Sequence, residues 1–520
     1  METTPPSNGP RPDGGPRPPS FQDALDYAEG RVAELDLPGL RAAGVYRTPL
    51  EYYLVGTYPP LKFLHDMEAE EVFRGITPSQ NLYLHIPFCE QYCTFCHFYK
   101  EINSPDQMVE RYVSALRDDI SGTAERVSAQ TPGGLTASSV YFGGGTPSYL
   151  KAHQIQSLMG HLWSTVRTTP DTEITFELHP GVVRQPDYED RLDAIREHRV
   201  NRWVFGIQSM DEKVLARLNR GHGRAEVYRL IGLLDDRNID NLNVDLIFGL
   251  PLQTLRNWYD TLTELMDAGL RKFNIFPLMF KRSDPITRQY INRPQDFPDE
   301  RDRLRMHFMA EFLLFSTGFR RGPVFYYAKD SVHSRQQQNK FDSIEEDNLV
   351  GLGVSSFGYI GGTQYYNVCD NREYLDRTAA GSSPVWRGHS LPPAERLRRS
   401  LMFGIRSGGA DLAARGRQYG IDAVELFAGH VENLQKLGLL DTDGTAVNLT
   451  DLGCAFVDGI GHTFASDEVV AGVLAANERI ESPSVDPVDR YDYSPIGRLD
   501  LPGGIADRHR DGLLRDGAVE

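Results

Sequence analysis

Cysteine is scarce in this chain. Five occur in 520 residues: Cys89, Cys93, Cys96, Cys369 and Cys454. An odd, sparse set argues against a disulfide framework. Long apolar runs are also missing, and none approaches the roughly 20 residues needed to cross a bilayer. The opening stretch METTPPSNGPRPDGGPRPPS has no apolar signal core, so no secretion signal is read there and a cytoplasmic location is expected. Net positive charge is lacking too. Against 55 Lys and Arg stand 72 Asp and Glu, a formal charge of −17. That balance disfavours a bulk electrostatic grip on nucleic acid or an anionic membrane, and neither is expected as a partner. Yet three of the five cysteines fall within the eight residues 89–96.

At 40% hydrophobic and 24% charged the composition is that of a globular protein with room for two or three cores. Residues 1–20 read as a disordered Pro-rich tail and 21–76 as an ordered extension with helical stretches. From 77 to 285 short apolar runs alternate with amphipathic segments. The runs are Leu82–Ile86, Ser139–Phe142, Ile174–Leu178, Trp203–Ile207, Leu242–Phe248 and Phe273–Phe276. Six strands separated by helices imply an α/β fold with right-handed crossovers and a parallel sheet, open or closed into part of a barrel. Ligands should then gather at the carboxyl ends of the strands. Residues 286–390 read as a linking and substrate-covering region, with a long helix over 300–316 and a Gly-rich stretch over 350–367. Residues 391–465 read as a small winged-helix-like module, and 466–520 as an acidic, mostly mobile tail.

The cysteine triplet follows the first apolar run, in Tyr83-Leu84-His85-Ile86-Pro87-Phe88-Cys89-Glu90-Gln91-Tyr92-Cys93-Thr94-Phe95-Cys96. Three thiolates at C-x3-C-x2-C spacing hold three corners of an iron–sulfur cube and leave the fourth open. Tetrahedral zinc is the alternative, with His97 or His85 completing the set. Further polar residues stand at the ends of later runs: Gly143-Gly144-Gly145-Thr146-Pro147, Glu177, Gln208, Arg220 and Asp245. Singly, each is as readily a turn, a helix cap or a surface group.

The loop resembles the signature of radical S-adenosylmethionine (SAM) enzymes, and Tyr-x-His-x-Pro-Phe-Cys resembles the branch of oxygen-independent coproporphyrinogen III oxidase. The resemblance implies a partial (β/α)6 TIM-like barrel and a 4Fe–4S cluster on Cys89, Cys93 and Cys96. SAM would be held by Tyr83, Gly144, Gly145, Thr146, Glu177, Gln208, Arg220 and Asp245. It also implies an electron donor such as flavodoxin or ferredoxin, and reductive cleavage of SAM to a 5′-deoxyadenosyl radical.

Departures guide the choice within the branch. Phe98 stands where the oxidase has a further cysteine, and Tyr366-Asn367-Val368-Cys369 does not match the haem-linked motif of the related chaperones. Cys96-His97-Phe98-Tyr99-Lys100-Glu101 and Thr57-Tyr58-Pro59-Pro60-Leu61-Lys62 look most like class C radical SAM methylases and cyclopropanases. That likeness implies two SAM molecules and transfer of a methyl or methylene group to an sp2 carbon of a small molecule. His97 and Tyr99 are the catalytic candidates because they flank the cluster. Porphyrinogen decarboxylation, a haem chaperone and a haem-opening methyltransferase are the alternatives.

Overall fold

A computed structural model describes residues 16–45, 56–77, 79–281, 284–329, 334–342 and 348–478. Of the expected tails at 1–20 and 466–520, residues 1–15 and 479–520 lie outside the described residues. The six apolar runs all become parallel strands: β1 (Ser79–Ile86), β2 (Thr136–Gly144), β3 (Arg167–Leu178), β4 (Arg202–Gln208), β5 (Leu242–Phe248) and β6 (Lys272–Pro277). Leu82, Leu84, Ile86, Phe142, Phe205 and Leu246 are wholly buried. These strands are covered on their outer face by crossover helices, as a buried parallel sheet requires.

The helices follow from spacing and caps. In Leu255–Asp267 the buried Trp258, Leu262, Leu265 and Met266 recur along one stripe. Thr254 opens that helix with a reciprocal cap: its hydroxyl accepts from the Asn257 amide, and its own amide donates to the Asn257 side chain. Glu300–Ser316 is the long helix expected there.

The connecting region behaves differently from its sequence reading. Leu349–Leu352 adds to β1 as another parallel strand, and Phe357–Ile360, Thr363–Asn367 and Val385–Ser390 continue antiparallel beyond it. Tyr326–Ala328 pairs with β6 at the other edge. The result is one open 13-stranded sheet. The glycines read as a loose stretch allow close packing instead: a Cβ at Gly358 would sit 2.2 Å from the Tyr365 ring.

The final module has helices Pro393–Arg406, Leu412–Tyr419 and Ala423–Lys436 around a three-stranded sheet that contains the hairpin Leu440–Thr442/Ala446–Leu449. The buried pair Arg406–Asp458 ties two of the module's own helices together, and Arg321, which grips Glu311 at 2.9 Å through two nitrogens, reaches across to the module at Cys454 Sγ, 2.7 Å away. Asp467–Glu478, in the expected mobile tail, is helical. No helix among the described residues is long and apolar enough to cross a membrane.

Candidate active site

Every strand-end motif points into one mouth. Cys89 ends a short strand, Phe88–Cys89, clasped against Glu101–Ile102. The loop between them is pinned from three sides: the Thr94 amide donates to Leu218 O at 3.0 Å, the Ile286 amide to Thr94 O at 3.0 Å, and Lys100 Nζ to the carbonyls of Cys96 and Phe98 at 2.5 and 2.9 Å. This brings Cys89, Cys93 and Cys96 to one cavity of about 170 Å3. Gly144, Gly145, Thr146, Glu177, Gln208, Arg220 and Asp245 line the same cavity.

Glycine is required at the β2 turn. Gly144 has φ +113°, and a Cβ there would lie 2.6 Å from the His85 ring; at Gly145 it would lie 2.6 Å from the Pro87 carbonyl carbon. Thr146 Oγ1 is 3.4 Å from Cys89 Sγ, and Arg220 Nη1 donates to Cys93 Sγ at 3.3 Å. Arg220 also donates to the Gly206 carbonyl, so its guanidinium is fixed between β4 and the cysteine loop.

Two carboxyl groups face this cavity from adjacent parts of the sheet. Glu177 accepts from Tyr141 Oη at 2.6 Å, and Asp245 accepts from Asn274 Nδ2 at 2.6 Å. Burial, reinforced by the Asp245 charge, pushes Glu177 up to about 7, and burial pushes Asp245 up to about 6. An arriving cation would stabilise both as carboxylates.

Tyr83 lies one cavity away, in a space of about 200 Å3 shared with Tyr141, Gly144, Glu177 and Phe98. A third and larger chamber, about 330 Å3, contains His97 with Arg202, Phe276, Tyr326, Lys340 and Arg406 in its walls. Phe98 and Glu177 border all three spaces. His97 Nδ1 is 3.6 Å from Asp284, and burial pushes the imidazole below its ordinary value against the pull of that carboxylate.

Tyr99, the other catalytic candidate, lines none of the three spaces. Its hydroxyl donates to Glu101 and accepts from the Asn371 amide at 3.1 Å, which ties the loop to the flanking strands. Adjacency in sequence to the third cysteine did not carry its side chain to the mouth.

The alternative of zinc finds no support in the donor geometry. Among the described residues no three His, Cys, Asp or Glu side chains are grouped to hold a single ion. His85 uses its ring nitrogens on Tyr83 Oη and the Tyr99 carbonyl, both at 3.1 Å. Three thiols ringing a cavity, those of Cys89 and Cys93 buried and that of Cys96 half-buried, suit a cluster instead, since its iron atoms hold the thiolates apart and take their charge.

Residues 83–297 match the family model of the radical SAM superfamily, and residues 391–456 match that of the HemN C-terminal domain. The chain carries a radical SAM domain. That superfamily uses a 4Fe–4S cluster and SAM, and this cavity fits both: three thiols for the iron, a glycine-lined backbone, a fixed guanidinium for a carboxylate, and two acids for an ammonium and a sulfonium.

The chain is 24% identical over 376 residues to the haem chaperone HemW of Bacillus subtilis, covering 72% of this chain and 96% of that one. It is 27% identical over 417 residues to the oxygen-independent coproporphyrinogen III oxidase of Salmonella typhimurium, covering 76% and 87%. The solved coproporphyrinogen III oxidase (HemN) of Escherichia coli superposes with a TM-score of 0.67 at 24% identity, over 75% of this chain and 91% of that one. The radical SAM fold expected from sequence is thus the fold observed.

Transfer of a methyl or methylene group, the expected reaction, is corrected by these relatives, which are named as porphyrinogen oxidases and haem chaperones. The residues behind that expectation also serve packing. Tyr58 is buried, donates to Glu395 and accepts from the Ser466 amide, so the Tyr-Pro-Pro extension clamps the C-terminal module. Sequence reasoning missed Arg202, Lys340, Arg399 and Arg406. Arg202 had a readable signal: it stands an even number of positions before Gln208 on β4, hence on the same face.

Proposed function

We propose that this radical SAM enzyme acts on a tetrapyrrole of the porphyrinogen class, removing CO2 and hydrogen from a propionate side chain in the manner of the oxygen-independent coproporphyrinogen III oxidases it is similar to. The observation that supports this reading is the shared wall between the cofactor cavity and the larger chamber. Cys96, Phe98, Glu177, Gln208 and Asp245 border both. A flat ring compound seated among Phe276, Tyr326 and Phe357 would present a side arm at the mouth where SAM is held.

Cys89, Cys93 and Cys96 would hold the cluster, and Gly144, Gly145, Thr146, Glu177, Gln208, Arg220 and Asp245 the SAM. Bound together, these groups would supply one-electron cleavage of the sulfonium and hydrogen-atom abstraction, with that electron coming from a donor protein and the electron left when CO2 departs passing to a separate electron acceptor. The chain's own work is placement. Arg220 orients a carboxylate, Glu177 and Asp245 fix positive charge, and the aromatic walls keep water from the reacting side arm. Tyr83, with its hydroxyl 3.1 Å from His85 Nδ1, lines the neighbouring space that Glu177 and Phe98 also border.

The test is anaerobic incubation of cluster-reconstituted protein with SAM, a reductant and coproporphyrinogen III. Loss of CO2 with formation of 5′-deoxyadenosine is expected. Tight haem binding with unchanged porphyrinogen and no 5′-deoxyadenosine would replace this reading with that of a haem chaperone.

A further inference from the structure

Helix Arg335–Asp342 places Gln337 and Lys340 in the walls of both outer spaces. Lys340 is set among rings: its Nζ lies 5.2 Å from the Phe341 centroid, 5.4 Å from Phe403 and 5.5 Å from Phe357. It donates to the Gly56 carbonyl at 2.6 Å. Among the described residues it has no carboxylate partner.

Two more cations share the same rings. The Arg399 guanidinium is 4.3 Å from the Phe403 centroid and 3.5 Å from that of Tyr359. The Arg406 guanidinium is 5.5 Å from the Phe341 centroid. Arg406 is paired with Asp458, from the last module. Lys340 and Arg399 thus meet at the Phe403 ring, and Lys340 and Arg406 at the Phe341 ring, with Lys340 bordering both outer spaces, Arg406 the larger and Arg399 the smaller.

From this juxtaposition we infer that Lys340, Arg399 and Arg406 form a carboxylate-binding wall that anchors an acidic side arm of the substrate remote from the reacting one. The inference rests on the tetrapyrrole reading and deepens it by naming the residues that would recognise the substrate's charge. The chemistry is complementary in shape as well: an aromatic floor for a ring system, and cations at its rim for acidic arms.

Binding at this wall should be linked to a proton. Burial, then the nearby guanidinium charges of Arg399 and Arg406, push the Lys340 amine down to about 7. A carboxylate arriving beside it favours the ammonium and raises that value. Between the free and bound values the ligand therefore takes up a proton as it binds, and affinity falls as pH rises above about 7. Among the described residues the groups facing the amine are Arg399, Arg406 with its partner Asp458, and the Gly56 carbonyl.

The experiment is fluorescence titration of the full-length, cluster-reconstituted protein without reductant. Coproporphyrin III serves as the acidic probe and its tetramethyl ester as the uncharged control, from about pH 6 to about pH 9. Wild type should prefer the acid by about tenfold or more and lose that preference with rising pH. Lys340→Met should bind the acid about tenfold more weakly, with a flat pH profile, while Lys340→Arg keeps the preference and also flattens the profile. The Arg variant guards against a fold defect in the Met variant.

Equal binding of acid and ester by wild type, no binding of the acid at any pH, or an unchanged Lys340→Met would each overturn the inference. A parallel titration with SAM alone separates the two carboxylate sources: if Lys340→Met weakens SAM and not the porphyrin, the wall serves the cofactor and the inference falls. A clear acid preference in a protein that does not decarboxylate coproporphyrinogen would sink the proposed reaction and leave the wall standing.

Discussion

Two poles of opposite charge face each other across Phe98. On one side Glu177 and Asp245 stand over a small glycine-lined cavity, with the one guanidinium of Arg220 anchored to the cysteine loop. On the other, Lys340, Arg399 and Arg406 stand among phenyl rings in larger spaces. The acidic pole comes from strands β3 and β5, the cationic pole from the segments after β6. Burial destabilises the charged form at both poles, but with opposite consequences for titration: it raises Glu177 to about 7 and lowers Lys340 to about 7. On the proposed reading, a sulfonium cofactor and an acidic substrate would be sorted to different ends by electrostatics before shape is considered.

The harshest way to break this arrangement is to remove a cysteine from the small pole. Cys89→Ser, Cys93→Ser or Cys96→Ser should abolish cluster absorption and 5′-deoxyadenosine formation, whereas Cys369→Ser should retain both, because Cys369 is buried among Ser355 and the Asn367 carbonyl. Next in size is the counter-ion of the large pole. Asp458→Asn leaves the Arg406 guanidinium buried without its carboxylate, and denaturant unfolding should show a loss of about 3–5 kcal/mol.

A smaller effect sharpens the contrast in titration. With Glu177 free at about 7 and the cation-bound form an ionised carboxylate, SAM binding releases a proton, so SAM affinity should rise as pH rises through about 7. Glu177→Gln should weaken SAM by about 10- to 100-fold and flatten that rise, measured by equilibrium dialysis. Substrate affinity should move the other way with pH. A pair of profiles with the same sign would contradict the two-pole description.

The small pole was largely legible in the sequence, and the large pole was not. Cys89, Gly144 and Gln208 each follow an apolar run long enough to read as a strand, Glu177 and Asp245 are carboxyl groups within such runs, and a parallel sheet puts the carboxyl ends of all these strands on one rim. Lys340 lies on an eight-residue helix whose role depends on contact with Phe357 and Phe403, far away in the chain; no local pattern encodes that. Helix Tyr188–Glu197 escaped notice for a related reason. Its sequence YEDRLDAIRE offers few apolar residues, and it is held partly by buried Arg191, which donates to the carbonyls of Ser148 and Tyr149 at 3.1 Å. The strands at 349–367 were hidden by glycines that a sheet interior normally avoids, here tolerated because Tyr365 fills the space above Gly358.

The mildest perturbation tests the partition itself. The Phe98 side chain is 44% exposed, an unusual position for a large apolar group, yet it borders all three spaces. Its backbone carbonyl is held by Lys100 at 2.9 Å, so the ring is presented from a fixed point. Little core burial is lost on truncation, and Phe98→Ala should leave cluster content and unfolding close to wild type. What it should change is the fidelity of transfer between the poles. Without the ring, water and a loosely seated side arm both reach the mouth, so 5′-deoxyadenosine should form several-fold in excess of decarboxylated product, while Phe98→Leu restores most of the coupling. The ratio of the two products, followed by chromatography and mass spectrometry, is the readout. An unchanged ratio in Phe98→Ala would mean that the poles are kept apart by distance and charge alone, and that the ring is only a cover over the cysteine loop.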